Sequence, residues 1–207
     1  MNITASCLDR WIEDEDTAQR LALIAELEDG QIREFSYAEL AAQVSRCANG
    51  LRELGLGVGD RIGLYLPMTW QNAVALLAIA RIGGIALPLF SGFGTGAVQQ
   101  RLEDAEAQAL ITAGGFPRRG KVVPLKPQAD AAVDDVPSLD HQIVVKIAGN
   151  EVPMTSGRDH WWHELVSPQD PHDVPADTAP EDPLMIIYTS GTTGRPKGAI
   201  HTHCGFP

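Results

Sequence analysis

Ile62-Gly63-Leu64-Tyr65-Leu66-Pro67, a stretch of helical character from about Thr69, and then Ile85-Ala86-Leu87-Pro88-Leu89 form the passage on which the fold turns. The two apolar runs have the length and composition of strands buried on both faces, and the segment between them is long enough for a helical crossover. Strand, helix and strand in that order make a parallel unit. Residues 73–90 are also eighteen residues with Arg81 as the only charge, close to the length of a membrane span. Gly83, Gly84 and Pro88 interrupt that run. A buried helix ending at the glycine pair, followed by a buried strand, accounts for the same residues.

Upstream, Ser36-Tyr37-Ala38-Glu39 has the S-x-x-E form of a capping box, in which the serine and glutamate side chains satisfy the free amides of a helix start. Leu40, Val44, Cys47, Leu51 and Leu54 follow as one apolar stripe, with Gly55 as the stop. Gly59-Asp60 is read as a turn. Downstream the pattern repeats: a helix near Ala97 to Ala105, a strand Ala109 to Thr112, a loop with Arg118-Arg119-Gly120-Lys121, and a strand Ile143 to Lys146. The fold class is therefore α/β, a mostly parallel sheet with flanking helices. Between Ser167 and Pro183 lie five prolines and five acidic residues, with Val174 the only sizeable apolar side chain, as expected of a connecting segment running over the surface. It delivers the chain into Leu184-Met185-Ile186-Ile187-Tyr188, which reads as a strand buried on both faces.

The 207 residues are 44% hydrophobic and 21% charged, enough apolar content for a core and incompatible with a wholly disordered chain. Twenty-seven Asp+Glu against 16 Lys+Arg give a net charge of -11, which repels nucleic acid and anionic membrane surfaces. An anionic small ligand remains compatible, because a site needs only a few local donors. Cys7, Cys47 and Cys204 are odd in number and form no C-x-x-C pair, and the first twenty residues carry acidic groups where a secretory signal would be basic and then apolar. Both features predict a cytoplasmic protein.

The chemistry concentrates after the 184–188 strand, in Thr189-Ser190-Gly191-Thr192-Thr193-Gly194-Arg195-Pro196-Lys197-Gly198. Three glycines allow close backbone approach, four hydroxyls supply donors without bulk, and Lys197 adds a point charge, a composition suited to a polyphosphate. A buried strand feeding such a loop is where α/β folds bind nucleotides. On composition alone, a flexible linker or an unliganded hairpin turn fits equally well. The spacing excludes a Walker A loop, because Gly191 and Gly194 are only two residues apart and Lys197 lies beyond Pro196. His201, His203 and Cys204 lack a second ligand pair at zinc spacing, and a strand would place both histidines on one face for packing. His160 and His163 flank Trp161-Trp162 at helical spacing and read as a helix with aromatic core anchors.

Tyr188-Thr189-Ser190-Gly191-Thr192-Thr193-Gly194-Arg195-Pro196-Lys197-Gly198 resembles the phosphate-binding core motif of the adenylate-forming superfamily. The acetyl-CoA synthetase branch is resembled along nearly the whole chain, in Cys7-Leu8-Asp9-Arg10, Phe35 to Leu40, Tyr65-Leu66-Pro67-Met68, Ala80-Arg81-Ile82-Gly83, Phe90-Ser91-Gly92-Phe93 and Gly157 to Leu165. The resemblance implies that a carboxylate attacks the α-phosphorus of MgATP, expels pyrophosphate, and passes as acyl-adenylate to the thiol of coenzyme A. It implies that Thr189, Ser190, Gly191, Thr192, Thr193, Gly194 and Lys197 hold ATP phosphates. It places Arg118, Arg119, Gly120, Lys121, Phe90 and Gly92 near the nucleotide end of coenzyme A, whose phosphates suit guanidinium groups. No metal ligand is assigned beyond the magnesium that accompanies ATP, and no residue is assigned as catalytic.

Members of the branch continue past the point matching Pro207 with an acyl pocket and a small C-terminal domain. The 207 residues are therefore expected to be part of the large N-terminal AMP-binding domain of a short-chain acyl-CoA synthetase acting on an acid such as acetate or propionate. By themselves they are expected to be poorly soluble and without ligase activity, since strand edges and apolar faces would lie open. The alternatives are another adenylating enzyme, such as an aryl-CoA ligase or a carrier-protein adenylation domain, or a truncated chain that only binds nucleotide.

Overall fold

The parallel unit read around Ile62 is the centre of a seven-stranded sheet. A computed structural model describes residues 1–28, 30–189 and 196–205. A π-helical turn Ala5–Asp9 and the short helices α1 (Arg10–Ile12) and α2 (Glu15–Ala18) lead into an antiparallel hairpin of β1 (Leu21–Glu26) and β2 (Ile32–Ser36). Then come α3 (Tyr37–Glu53), β3 (Arg61–Tyr65), α4 (Trp70–Arg81), β4 (Ile85–Pro88), α5 (Thr95–Asp104) and β5 (Ala109–Ala113). A second hairpin, β6 (Gly115–Arg118) and β7 (Lys121–Pro124), precedes α6 (Lys126–Val133), β8 (His141–Val145), β9 (Asp159–Trp161) and α7 (Trp162–Val166). The strands β10 (Pro183–Thr189) and β11 (Lys197–Thr202) follow.

The sheet order is β11-β10-β4-β3-β5-β8-β9, and every pairing is parallel except β10 with β11. Helix α3 starts at the capping box read from the sequence: the Ser36 hydroxyl accepts from the Glu39 amide at 3.2 Å, and the Glu39 carboxylate accepts from the Ser36 amide at 2.8 Å. Its stripe of Leu40, Val44, Cys47 and Leu51 is buried, and α3 packs beside α4 on one side of the sheet while α5 packs with α6. The strands pack tightly at Gly63, where a Cβ would lie 2.7 Å from Leu110 Cδ1 and 2.8 Å from Leu102 Cδ2. Side-chain loss at that position is what lets β3 and the helix α5 approach.

Arg81, the single charge of the apolar run, ends α4 and is 6% exposed. Its guanidinium holds the Asp9 carboxylate at 2.7 Å and bonds Asp173, whose side chain is 1% exposed and also binds Arg52 at 2.8 Å. Segment 167–183 runs over the surface as expected, Thr178 alone in it being buried, but it is pinned to the body rather than loosely connecting. Val174 is 81% exposed, but Asp173 and Thr178 are drawn inward by Arg81 and by the Met1 carbonyl. Burial alone would raise the Asp173 carboxyl, and the hydrogen bonds from Arg52 and Arg81 outweigh it and hold it below the usual range.

Three further expectations are corrected. His160 and His163 do not share a helix, because His160 and Trp161 lie on β9, paired with Ile143 and Val144, and only from Trp162 is the chain helical. Strand β10 is buried at Leu184 and Met185 but half-buried from Ile186 to Tyr188, since its outer neighbour β11 is an open edge with Ile200 63% exposed. Strand β11 stops at Thr202, so His201 and His203 do not share a strand face. His203 sits in a turn, 4% exposed, where its Nδ1 accepts from the Ile3 amide at 3.2 Å. Burial and the neighbouring N-terminal ammonium keep that imidazole below its ordinary range. Among the described residues, no helix is long and apolar enough to cross a membrane.

Candidate functional site

A parallel sheet offers a ligand crevice where crossovers from adjacent strands leave toward opposite faces, at the carboxyl ends of the strands. Here β3 connects through α4 to β4 on one side, and β4 connects through α5 back across β3 to β5 on the other. The crevice therefore falls between the ends of β3 and β4. A cleft of about 380 Å³ lies there, lined by Met68 and Thr69 after β3, Phe90 and Ser91 after β4, and Phe116 and Arg118 on β6. Glu26 and Glu28, at the tip of the β1–β2 hairpin, close its outer side.

Phe90 is 62% exposed and presents its ring at the cleft. Gly92 explains how the chain folds back beneath it: a Cβ there would lie 2.5 Å from Phe90 Cε1, so any side chain would push the ring away. Phe93 packs edge-on against Phe90, with ring centroids 5.7 Å apart, and its carbonyl accepts from the buried Tyr65 hydroxyl at 2.6 Å. The loop after β4 is thus fixed from below by the end of β3.

The basic group 118–121 is a tight hairpin rather than the loop its sequence predicts. Arg118 pairs with Lys121 across β6 and β7, and Arg119 (φ 52°) and Gly120 (φ 73°) form the turn, two left-handed residues matching the twist of a two-residue hairpin. Arg118 faces the cleft, whereas Arg119, Gly120 and Lys121 lie exposed beyond its lining. The Arg119 amide donates to the Glu28 carboxylate, so an acidic group of this chain already sits at the basic turn.

On the other side of β4, β10 runs parallel to it and ends at Thr189, on the same edge of the sheet as Phe90 and Arg118. Thr189 pairs with Lys197, the first residue of β11, and Lys197 is exposed without a carboxylate partner among the described residues. Ser190, Gly191, Thr192, Thr193 and Gly194 lie outside the described residues. Tyr188 anchors this hairpin base by donating its hydroxyl to Asp104 of α5 at 2.7 Å; burial and that carboxylate push the phenol up. Among the described residues, no group of three or more His, Cys, Asp or Glu side chains is placed to hold a metal ion.

The structure thus brings Phe90, Gly92 and Arg118 together around one cleft and sets Thr189 and Lys197 on the same sheet edge. No local pattern in the sequence marks Glu28, Arg101 or the Tyr188–Asp104 contact. The alternating Phe90 and Phe93 around Gly92 carried a local signal for a packed turn. Glu28 carried none, because its partner is 91 residues away.

Known proteins fit this arrangement. The profile of the AMP-binding enzyme family matches residues 10–206. The chain is 44% identical over 207 residues to an acetyl-coenzyme A synthetase of Coprinopsis cinerea, covering all of this chain and 31% of that protein. It is 48% identical over 177 residues to the acetyl-coenzyme A synthetase of Methanothrix thermoacetophila, covering 86% of this chain and 27% of that protein. The crystal structure of a Brucella canis acyl-CoA synthetase superposes with a TM-score of 0.79 at 25% identity, over 98% of this chain and 33% of the other. The chain spans about a third of the length of these relatives. With the family profile running from Arg10 through both β10 and β11, on a parallel sheet shared with a solved synthetase, the chain belongs to the AMP-binding enzyme family.

Proposed function

We propose that these residues form part of the large N-terminal domain of an AMP-forming acyl-CoA synthetase that activates a short-chain carboxylate, acetate or propionate in character. The observation that carries this reading is the placement of two unlike clusters on one sheet edge. A ring-and-guanidinium cleft at Phe90 and Arg118 lies across β4 from the hairpin base Thr189/Lys197. The first offers an aromatic face and a cation to the nucleotide end of coenzyme A. The second carries the hydroxyl- and glycine-rich segment of residues 189–194, with Lys197, toward the ATP phosphates.

In the first step the carboxylate attacks the α-phosphorus and pyrophosphate leaves. The negative charge gathering on the leaving group is met by Lys197, by the backbone amides and hydroxyls of 189–194, and by the magnesium that enters with ATP. In the second step the coenzyme thiol displaces AMP from the acyl-adenylate, and the task of Arg118, Arg119, Lys121, Phe90, Gly92 and Gly120 is to hold the far end of coenzyme A. Glu28 bears on this step: its carboxylate occupies the Arg119 amide and must move aside for a phosphate to reach the turn. The relatives named acetyl-coenzyme A synthetase support a small acid.

The test is pyrophosphate exchange by the full-length protein against a panel of acids, followed by thioester formation. Exchange that depends on acetate or propionate, with thioester made only when coenzyme A is added, is the expected result. Adenylation restricted to aromatic acids, or adenylate that passes only to a carrier protein, would refute it.

A further inference from the structure

Among the described residues, Arg101 is a buried cation without an acidic partner. It is 8% exposed, on the middle of α5, and among the described residues no carboxylate lies within ion-pair distance of it. One guanidinium nitrogen, Nη1, donates to the Ala97 carbonyl at 2.6 Å, and the buried Nε has no hydrogen-bond partner among the described residues. A guanidinium desolvated in this way is costly unless its surroundings compensate. What surrounds it is aromatic: its central carbon lies 4.5 Å from the centroid of the Phe93 ring and 5.8 Å from that of Tyr188.

Those two rings belong to the two clusters of the site. Phe93 closes the loop that carries Phe90 and Gly92, held by the Tyr65 hydroxyl and by its own amide, which donates to the Phe90 carbonyl at 2.9 Å. Tyr188 immediately precedes Thr189, and its hydroxyl is tied to Asp104, three residues beyond Arg101 on the same helix. We infer that Arg101 is a positioning residue: by lying against Phe93 and Tyr188 at once, it holds the loop after β4 and the strand leading into the phosphate segment in one mutual arrangement. Its role in catalysis rests on the proposed function, because it orders the coenzyme side and the phosphate side of the edge together. Displacement of either ring is then felt on the other side.

The test begins without ligand. In the full-length protein, hydrogen exchange is compared between wild type and Arg101→Met, which keeps apolar volume and removes the cation. The amide of Phe93 and the amides of residues 187–189 are expected to exchange faster together by roughly tenfold, while β5 is unchanged. Acceleration on one side only, or on neither, overturns the inference. Should Arg101→Met not fold, Phe93→Leu is read at residues 187–189, where faster exchange is expected and unchanged exchange refutes it. Arg101→Lys, which keeps a cation at the rings, should restore part of the protection.

The second readout is kinetic and separates positioning from simple stability. Phe93→Leu should raise KM for ATP by about threefold or more, and Tyr188→Leu should raise KM for coenzyme A similarly, with both cross-effects vanishing in an Arg101→Met background. Purely local effects that add independently would refute the coupling. A wild-type protein without pyrophosphate exchange would instead defeat the functional reading, and the exchange protection around Arg101 would still decide the inference.

Discussion

Replacing Asp173 with Asn should be a strongly damaging conservative change. Asp173 has a side chain only 1% exposed and binds two guanidiniums, those of Arg81 (7% exposed) and Arg52 (33% exposed). Breaking a buried pair from one side costs about 3–5 kcal/mol, because the other charge stays buried and uncompensated. Two features reduce that figure here. Arg81 keeps Asp9 at 2.7 Å, and Arg52 is exposed enough to be hydrated and screened. About 2–3 kcal/mol remains. Calorimetry on the full-length protein measures this, with the double variant Arg81→Met/Asp173→Leu beside it. Removing both partners should cost less than removing Asp173 alone, since the desolvation penalty of the pair disappears with its attraction. A loss below about 0.5 kcal/mol for Asp173→Asn, or strictly additive single variants, would refute the reasoning.

Gly92→Ala should leave the melting temperature nearly unchanged, because the colliding atom belongs to the exposed Phe90 ring, which can swing out. It should raise KM for coenzyme A by about tenfold through the lost stacking face, measured in the thioester-forming assay. Glu28→Gln removes the carboxylate at the Arg119 amide and should lower KM for coenzyme A by about two- to fivefold in the same assay at low salt. Acid should destabilise the fold in two stages. Burial, then the His141 neighbour, hold the His160 imidazole below its ordinary range, and burial and the N-terminal ammonium do the same to His203, so the unfolded chain binds more protons and stability falls as pH drops below about 6.5; His160→Gln should remove only its own share of that stage. The carboxyls of Asp159 and Asp173, lowered by their hydrogen bonds against the opposing effect of burial, contribute stability that is present above about pH 4 and lost below it, read by denaturant titration at each pH.

What the sequence disclosed was what short stretches decide. The capping box at Ser36 and Glu39 is a four-residue device, so it was legible and forms as read. The apolar runs at Ile62 and Ile85 are buried because they lie inside the sheet, and their composition says so. The β1–β2 hairpin went unread because its apolar residues do not mark a buried face: Leu21, Ile24 and Ile32 are all more than half exposed. Trp161 and Trp162 looked alike, yet one pairs with Val144 and the other starts a helix; that difference comes from a partner strand seventeen residues away. The basic residues 118–121 were found, but their hairpin was not, since Arg119 in a left-handed conformation gives no signal of its own.

The positions of these features suggest why stability and chemistry can be perturbed separately. Helix α4 begins at the cleft, next to Thr69, and ends at Arg81, one turn before β4 sets out from the opposite edge of the sheet. The ion pairs of Arg81 with Asp9 and Asp173 therefore fasten the amino-terminal turn and the 167–183 segment beneath the sheet, about 18 Å along the helix from the cleft. Phe93, Arg101 and Tyr188 instead make their contacts above, where the loop after β4 and the end of β10 meet α5. Asp173→Asn should accordingly lower the melting temperature while KM for coenzyme A stays within about twofold, and Gly92→Ala should do the reverse. If Asp173→Asn shifted KM strongly at temperatures well below its melting transition, the two edges would be coupled through α4, and the ion pairs would belong to the site rather than to the scaffold.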